Sequence, residues 1–156
     1  MDDKKRRMIE KEEEITSGSG IWSGYSMGND PSNEYSVKYL SRAAEKICDN
    51  RVKWRDIIIL FSDSSFGEGK SGFVLSTDGI YVKSSLNKHS KFSVQYSDID
   101  FVFYDTLESK PVLKIYTKYD DCKIIDHPWF NLEVLCDLID AMKEIADEYD
   151  NLKLEW

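Results

Sequence analysis

The chain has little of what most active-site chemistry requires. Only two histidines, His89 and His127, and three cysteines, Cys48, Cys122 and Cys136, occur in 156 residues. They do not fall at the paired spacing of a metal site, and no Ser or Cys stands in a nucleophile-elbow motif. An odd number of scattered cysteines, two of them on apolar faces of predicted helices, reads as small reduced core residues and not as a disulfide framework. No run approaches the ~20 apolar residues of a membrane span. The opening MDDKKRRMIEKEEEI is charged throughout and lacks the apolar segment of a secretory signal, which points to the cytoplasm. A hydrophobic fraction of 41% suits one domain with an appendage.

What is present in excess is negative charge, and it is unevenly placed. The net charge is −8. Residues 1–14 carry a net −1, residues 15–125 balance to zero, and residues 126–156 carry nine acidic and two basic side chains. A field of that sign repels nucleic acid and anionic membranes and steers a basic protein partner, or it keeps a small domain soluble. The cations Lys83, Lys88, His89 and Lys91 gather around one loop, too few for the basic stripe a nucleic-acid interface needs.

The chain divides at about residue 30. Residues 1–30 read as a flexible N-terminal segment, first charged, then rich in Gly and Ser. Its first fifteen residues could form a polar helix, although Met8, Ile9 and Ile15 make a poor apolar stripe. Trp22 and Tyr25 are out of place in a linker, because an exposed indole gains nothing in water; they dock on the domain or on a partner. Residues 31–156 read as a single domain. Its first helix spans 31–51, with Asp30 as N-cap, Pro31 in the first turn, and Val37, Leu40, Ala44, Ile47 and Cys48 on one face.

Seven strands follow over 56–126. DIIILF (Asp56–Phe61) is a continuous apolar run, as a strand buried on both faces requires. Ser71–Ser76 and Gly79–Ser84 flank the hairpin signal Thr77-Asp78-Gly79. Lys91–Tyr96, Asp100–Asp105, Val112–Lys118 and Cys122–Asp126 complete a spacing of about eight to twelve residues per strand, the pattern of an antiparallel sandwich or barrel. Phe101 and Phe103 share one face while Tyr104 points the other way, so part of the aromatic load lies outside the sheet. Residues 131–149 form a terminal helix with a broad apolar stripe from Leu132 to Tyr149 and carboxylates largely opposite. Asn131 serves as N-cap. Asp147, Glu148 and Asp150 sit at the unfavourable end of the helix dipole, so either something basic lies near that end or the end frays.

Three stretches carry a family resemblance. Asp63, Phe66, Gly67, Gly69, Lys70 and Gly72 form a D-x-x-F-G-x-G-K-x-G turn after a buried strand. Thr77, Asp78, Gly79, Ile80 and Tyr81 follow as T-D-G-I-Y, and Tyr96, Asp98 and Ile99 as Y-x-D-I. With seven strands before a terminal helix, residues 45 to 149 resemble bacterial pleckstrin-homology-like domains. The resemblance implies an α+β fold: a seven-stranded antiparallel barrel or sandwich capped by a C-terminal helix, here with an additional N-terminal helix. It also implies a protein-interaction or scaffold role. The lipid-binding members of the wider superfamily gather Lys and Arg around the first loop. Here that loop offers only Lys70 beside Asp63 and Glu68, which argues against membrane lipid.

Catalytic readings do not gather support. GEGKS has Ser64 where a phosphate loop needs its first glycine, and a strand follows where a helix should aim its dipole. Asp126, His127 and Cys122 lack any motif that would make them a nucleophilic site. The expectation is therefore a non-enzymatic cytoplasmic protein-binding module that takes no cofactor, metal or nucleic acid and binds another protein, with a basic one as the candidate that the charge suggests. Its candidate contact residues are Trp22, Tyr25, Lys88 and His89, with the sheet edge beside the Ser84–Ser90 loop open to an extended peptide. The alternative is an acidic inhibitor or immunity protein that covers a basic nuclease or toxin with its C-terminal helix, through Asp137, Asp140 and Glu144.

Overall fold

A computed structural model describes residues 2–17, 25–64, 69–107, 109–128 and 130–154. Over these residues the chain is α+β. Helix α1 (Asp3–Thr16) precedes β1 (Tyr25–Gly28) and α2 (Glu34–Lys46). Strands β2 (Ile57–Ser62), β3 (Gly72–Ser76), β4 (Gly79–Lys83) and β5 (Lys91–Gln95) follow, then β6 (Ile99–Asp105), β7 (Val112–Thr117) and β8 (Cys122–Ile125), and last α3 (Leu132–Leu154). All pairings are antiparallel, in one sheet of order β1-β2-β3-β4-β5 and one of order β6-β7-β8.

The seven expected strands are β2 to β8, and β1 is an eighth, paired along β2. The sheets do not close into a barrel: a 3-10 turn at Tyr96–Asp98 separates β5 from β6, and α3 packs against that turn, β6 and β7. Strand β2 is buried at every position because it is covered on both faces. On one side Ile57 and Leu60 meet Leu40, Ala43 and Ala44 of α2; on the other Ile58, Ile59 and Phe61 join the main core with Leu135, Leu138, Ile139 and Met142 of α3. A bulge between Ile57 and Ile59 lets Ile58 and Ile59 lie in the same core cluster, which strict alternation forbids.

The turn residues behind the resemblance hold the fold. Gly72 has φ +135°, and a Cβ there would stand 1.9 Å from the Phe61 carbonyl oxygen, so only glycine lets β2 and β3 approach. The Ser76 hydroxyl accepts from the Asp78 and Gly79 amides at 3.1 and 3.0 Å and closes the β3–β4 turn. Tyr96 is fully buried and donates to the Ser76 carbonyl at 2.8 Å. Phe66 and Gly67 lie outside the described residues.

Two expected boundaries move. Asn33, not Asp30, caps α2, its Oδ1 accepting from Tyr35 and Ser36 amides; Asp30 instead receives the Ser32 amide at 3.0 Å in the preceding turn, which keeps Pro31 out of the helix. At the other end Asp49 and Asn50 take φ of 52° and 61°, which stops α2 at Lys46. α3 runs past Tyr149 to Leu154, and Asn131 Oδ1 accepts from Val134 N as expected of its cap.

The N-terminal segment, expected to be flexible through residue 30, contains α1 and β1. α1 packs along α3 and against β2. Met8 is fully buried in the main core, with Ile9 and Ile15 against it. Arg7 reaches Glu148 at 2.7 Å and lies 5.6 Å from the Tyr149 ring centroid. The basic neighbour implied by the acidic end of α3 is thus Arg7.

Candidate functional site

The loops at one end of the sheets are tied together by a buried carboxylate. Asp63, just past β2, and His127, just past β8, are nearly inaccessible, and His127 Nε2 lies 2.9 Å from Asp63 Oδ2. The Ser71 and Ser84 hydroxyls also donate to Asp63. Burial pushes the Asp63 carboxyl up, but the donors from His127, Ser71 and Ser84 outweigh it and hold the carboxyl below its ordinary value. The His127 ring is packed edge-on against Phe73 and Phe130.

Serine, histidine and aspartate within reach of each other invite a hydrolase reading, and the hydrogen bonds oppose it. A hydroxyl has one proton to donate, and both serines spend theirs on Asp63 and not on His127. The imidazole side chain is fully buried, packed between the two rings and the carboxylate. The cluster works as a knot that joins the end of β2, the loop after β4 and the β8–α3 connection.

Beside the knot opens a cleft of about 750 Å³. Its apolar lining comes from Leu86, Pro111, Val112, Ile124, Phe130 and Leu132; Lys88, Lys110 and Lys114 supply charge, with Asp126 the acid. Lys114 is paired with Asp105 at 3.0 Å, whereas Lys88 and Lys110 form no ion pair among the described residues.

The cleft runs onto the outer face of the β6-β7-β8 sheet. Strand alternation sends Val102, Tyr104, Leu113 and Ile115 toward the core and Phe101, Phe103, Lys114 and Tyr116 away from it. Phe101 is 50% exposed and Phe103 46%. Phe101 stands opposite Tyr116 in the ladder and stacks on it at 4.6 Å. In the next row Phe103, Lys114 and Ile124 stand side by side across the sheet, and Ile124 and Lys114 also line the cleft. The face and the cleft are one continuous surface.

The anticipated contact residues scatter around this surface. Trp22 lies outside the described residues, as does the side chain of Tyr25, whose backbone pairs with Ser62 at the start of β1. Lys88 stands at the cleft, its amide donating to Asp126 Oδ1 at 2.7 Å. His89 is half-buried beside it, its carbonyl accepting from Asn87 Nδ2. The sheet edge beside that loop is not open at the β8 end. The buried Asn87 amide donates to the Ile124 carbonyl at 2.9 Å and accepts from the Asp126 amide at 2.8 Å, so one side chain replaces a neighbouring strand there. Asp137, Asp140 and Glu144 are exposed on α3. Partial burial, with Asp137 and Glu144 close by, pushes the Asp140 carboxyl up.

Sequence reasoning placed Phe101 and Phe103 on one face but did not name them as contact residues. It missed Leu86, Lys110 and Pro111, which only the fold brings together. No group of three or more His, Cys, Asp or Glu among the described residues could hold a metal ion. Among the same residues no helix is long and apolar enough to cross a membrane. No protein-family model, no curated protein and no solved structure matches the chain.

Proposed function

We propose that this chain is a non-enzymatic protein-binding module of the pleckstrin-homology-like type, acting in the cytoplasm. The carrying observation is the outward aromatic face of β6 and β7. Two phenylalanines about half exposed on adjacent outward positions, one of them stacked on Tyr116, are costly to leave in water and are of the residue class enriched at interface centres. The strand arrangement supports the fold-family reading: β2 to β5 form consecutive hairpins, β6 to β8 form the second sheet, and a helix follows. β1, α1 and α2 are additions to that plan. Three free cysteines accord with a reducing compartment.

The test is a double change, Phe101→Ser with Phe103→Ser, in affinity capture from the native cell. Both side chains are about half exposed, so the fold should survive with stability lowered by about 1 kcal/mol per site, the worth of a cross-strand aromatic pair. Loss of the captured partner with the cooperative unfolding transition retained is the expected result. Capture that persists at wild-type level overturns the reading.

A second reading, an acidic inhibitor of a basic nuclease or toxin, is favoured by one observation. Asp137, Asp140 and Glu144 are exposed together on α3, where partial burial and then the two neighbouring carboxylates raise the Asp140 carboxyl, and a partner's cations would relieve that repulsion.

A further inference from the structure

We infer that the cleft beside Lys88 and Lys110 receives an extended segment of the protein partner in which carboxylates alternate with apolar side chains. This rests on the module reading above and gives it a ligand chemistry.

The cleft falls within the size range of built ligand sites, roughly 300–1,000 Å³, at about 750 Å³. Its charge runs against the chain as a whole. In a protein of net −8, this surface brings together three lysines and one aspartate. The aspartate is engaged by the Lys88 amide, and Lys114 is neutralised by Asp105. What remains is Lys88 and Lys110, exposed and without an ion pair among the described residues. They stand on two different loops, the one after β4 and the one between β6 and β7, on a cleft lined by Val112, Ile124 and Leu132.

Cations on the loops and apolar side chains on the strands below them demand two kinds of side chain from one ligand. An extended chain supplies both, because successive side chains point to opposite sides. Apolar side chains enter toward Val112 and Ile124, and the carboxylates between them face Lys88 and Lys110. The segment would not add to β8 as a ladder strand at its Ile124–Asp126 end, because Asn87 already occupies those backbone groups. Recognition therefore comes from side chains, and the segment continues along Ile124 and Lys114 toward Phe103.

The experiment uses the full chain and a fluorescent peptide of about eight residues alternating Glu and Val, titrated by anisotropy to about 1 mM. The Gln–Val counterpart and vesicles containing phosphatidylserine are run beside it. The Glu peptide should bind, weaken about tenfold in Lys88→Glu/Lys110→Glu, and weaken comparably when Gln replaces Glu. Equal binding of both peptides, equal binding to the double variant, or no binding overturns the inference. So does capture by the vesicles with none by the peptide, which would mark an anionic-lipid surface. Partner capture from the native cell separates the two levels of the argument. If Phe101→Ser/Phe103→Ser loses the partner while Lys88→Glu/Lys110→Glu keeps it, the cleft inference fails and the module reading stands. If neither variant loses it, the module surface itself is wrong.

Discussion

Asp63 shows how one residue carries a connection the strands alone do not make. Its carboxylate gathers donors from three other segments, at Ser71, Ser84 and His127. Removing it deprives those donors of this acceptor, and leaving a buried donor unsatisfied costs about 1–3 kcal/mol. Asp63→Ala should lower the urea midpoint by a corresponding amount, whereas His127→Ala removes one donor and keeps the serines. The pH response follows from the direction of the shift. The folded carboxyl is held below its unfolded value, so its stabilisation is fully present above the ordinary carboxylate range of about 4. It disappears as pH falls through the lower folded value. Urea unfolding at a series of pH values should therefore show the wild type losing stability below about pH 4 more steeply than Asp63→Asn, which has nothing to titrate. Equal slopes would mean that Asp63 titrates normally. None of this was legible in the sequence, where Asp63 and His127 both read as turn residues and His127 belonged to no motif; the 64-residue separation closes only through the fold.

Among the elements, α1 is held differently from the rest. Strands β2 to β8 announce themselves by run and alternation, since each sends at least one apolar side chain into the core, and α3 by its broad apolar stripe. α1 buries Met8 completely and the polar Glu12 nearly so, with Ile9 and Ile15 packed in part, so its apolar pattern was too thin to read. Its position comes from tertiary partners: Arg7 with Glu148, Asp3 with Tyr149, and Lys4 with Asp78 at 3.4 Å. β1 escaped notice for a related reason. Four residues, YSMG, hold no periodicity, and they form a strand because β2 has an edge to pair. Two changes separate the roles of core and charge in α1. Met8→Ala removes a fully buried side chain and should cost about 2–5 kcal/mol. Arg7→Ala removes solvent-screened contacts, so its effect should be smaller and fade as salt rises. Hydrogen exchange of the α1 amides with and without added salt checks both. A loss in Arg7→Ala that matches Met8→Ala and ignores salt would show that the ion pairs, not the core contact, dock the helix.

At the scale of the whole molecule, charge and apolar surface occupy different places, and that separation sets the last prediction. The excess negative charge was legible from residue counting, and the structure gives it a location: the outer side of α3, where Glu148 is met by Arg7 and Asp147 by Lys143, while Asp137, Asp140 and Glu144 stay exposed. The apolar surface was half legible. Alternation put Phe101 and Phe103 on one face, but only strand order sets that face beside Leu86, Lys88 and Lys110. If the module reading holds, the partner docks on β6, β7 and the cleft, and α3 serves mainly to fill the core and keep the chain soluble. The triple change Asp137→Asn, Asp140→Asn and Glu144→Gln, which takes three negative charges from a helix face outside that surface, should then alter partner affinity by no more than about twofold. An inhibitor that uses this face would lose at least about tenfold, because each missing carboxylate strands a partner cation at the contact. Titrating the captured partner against wild type and triple variant at about 0.05 M and 0.5 M salt reads both quantities. Affinity that falls with the triple change, and a salt dependence that vanishes with it, would place the binding surface on α3 and leave the aromatic face unexplained. Unchanged affinity leaves α3 a structural helix whose charge governs solubility and approach.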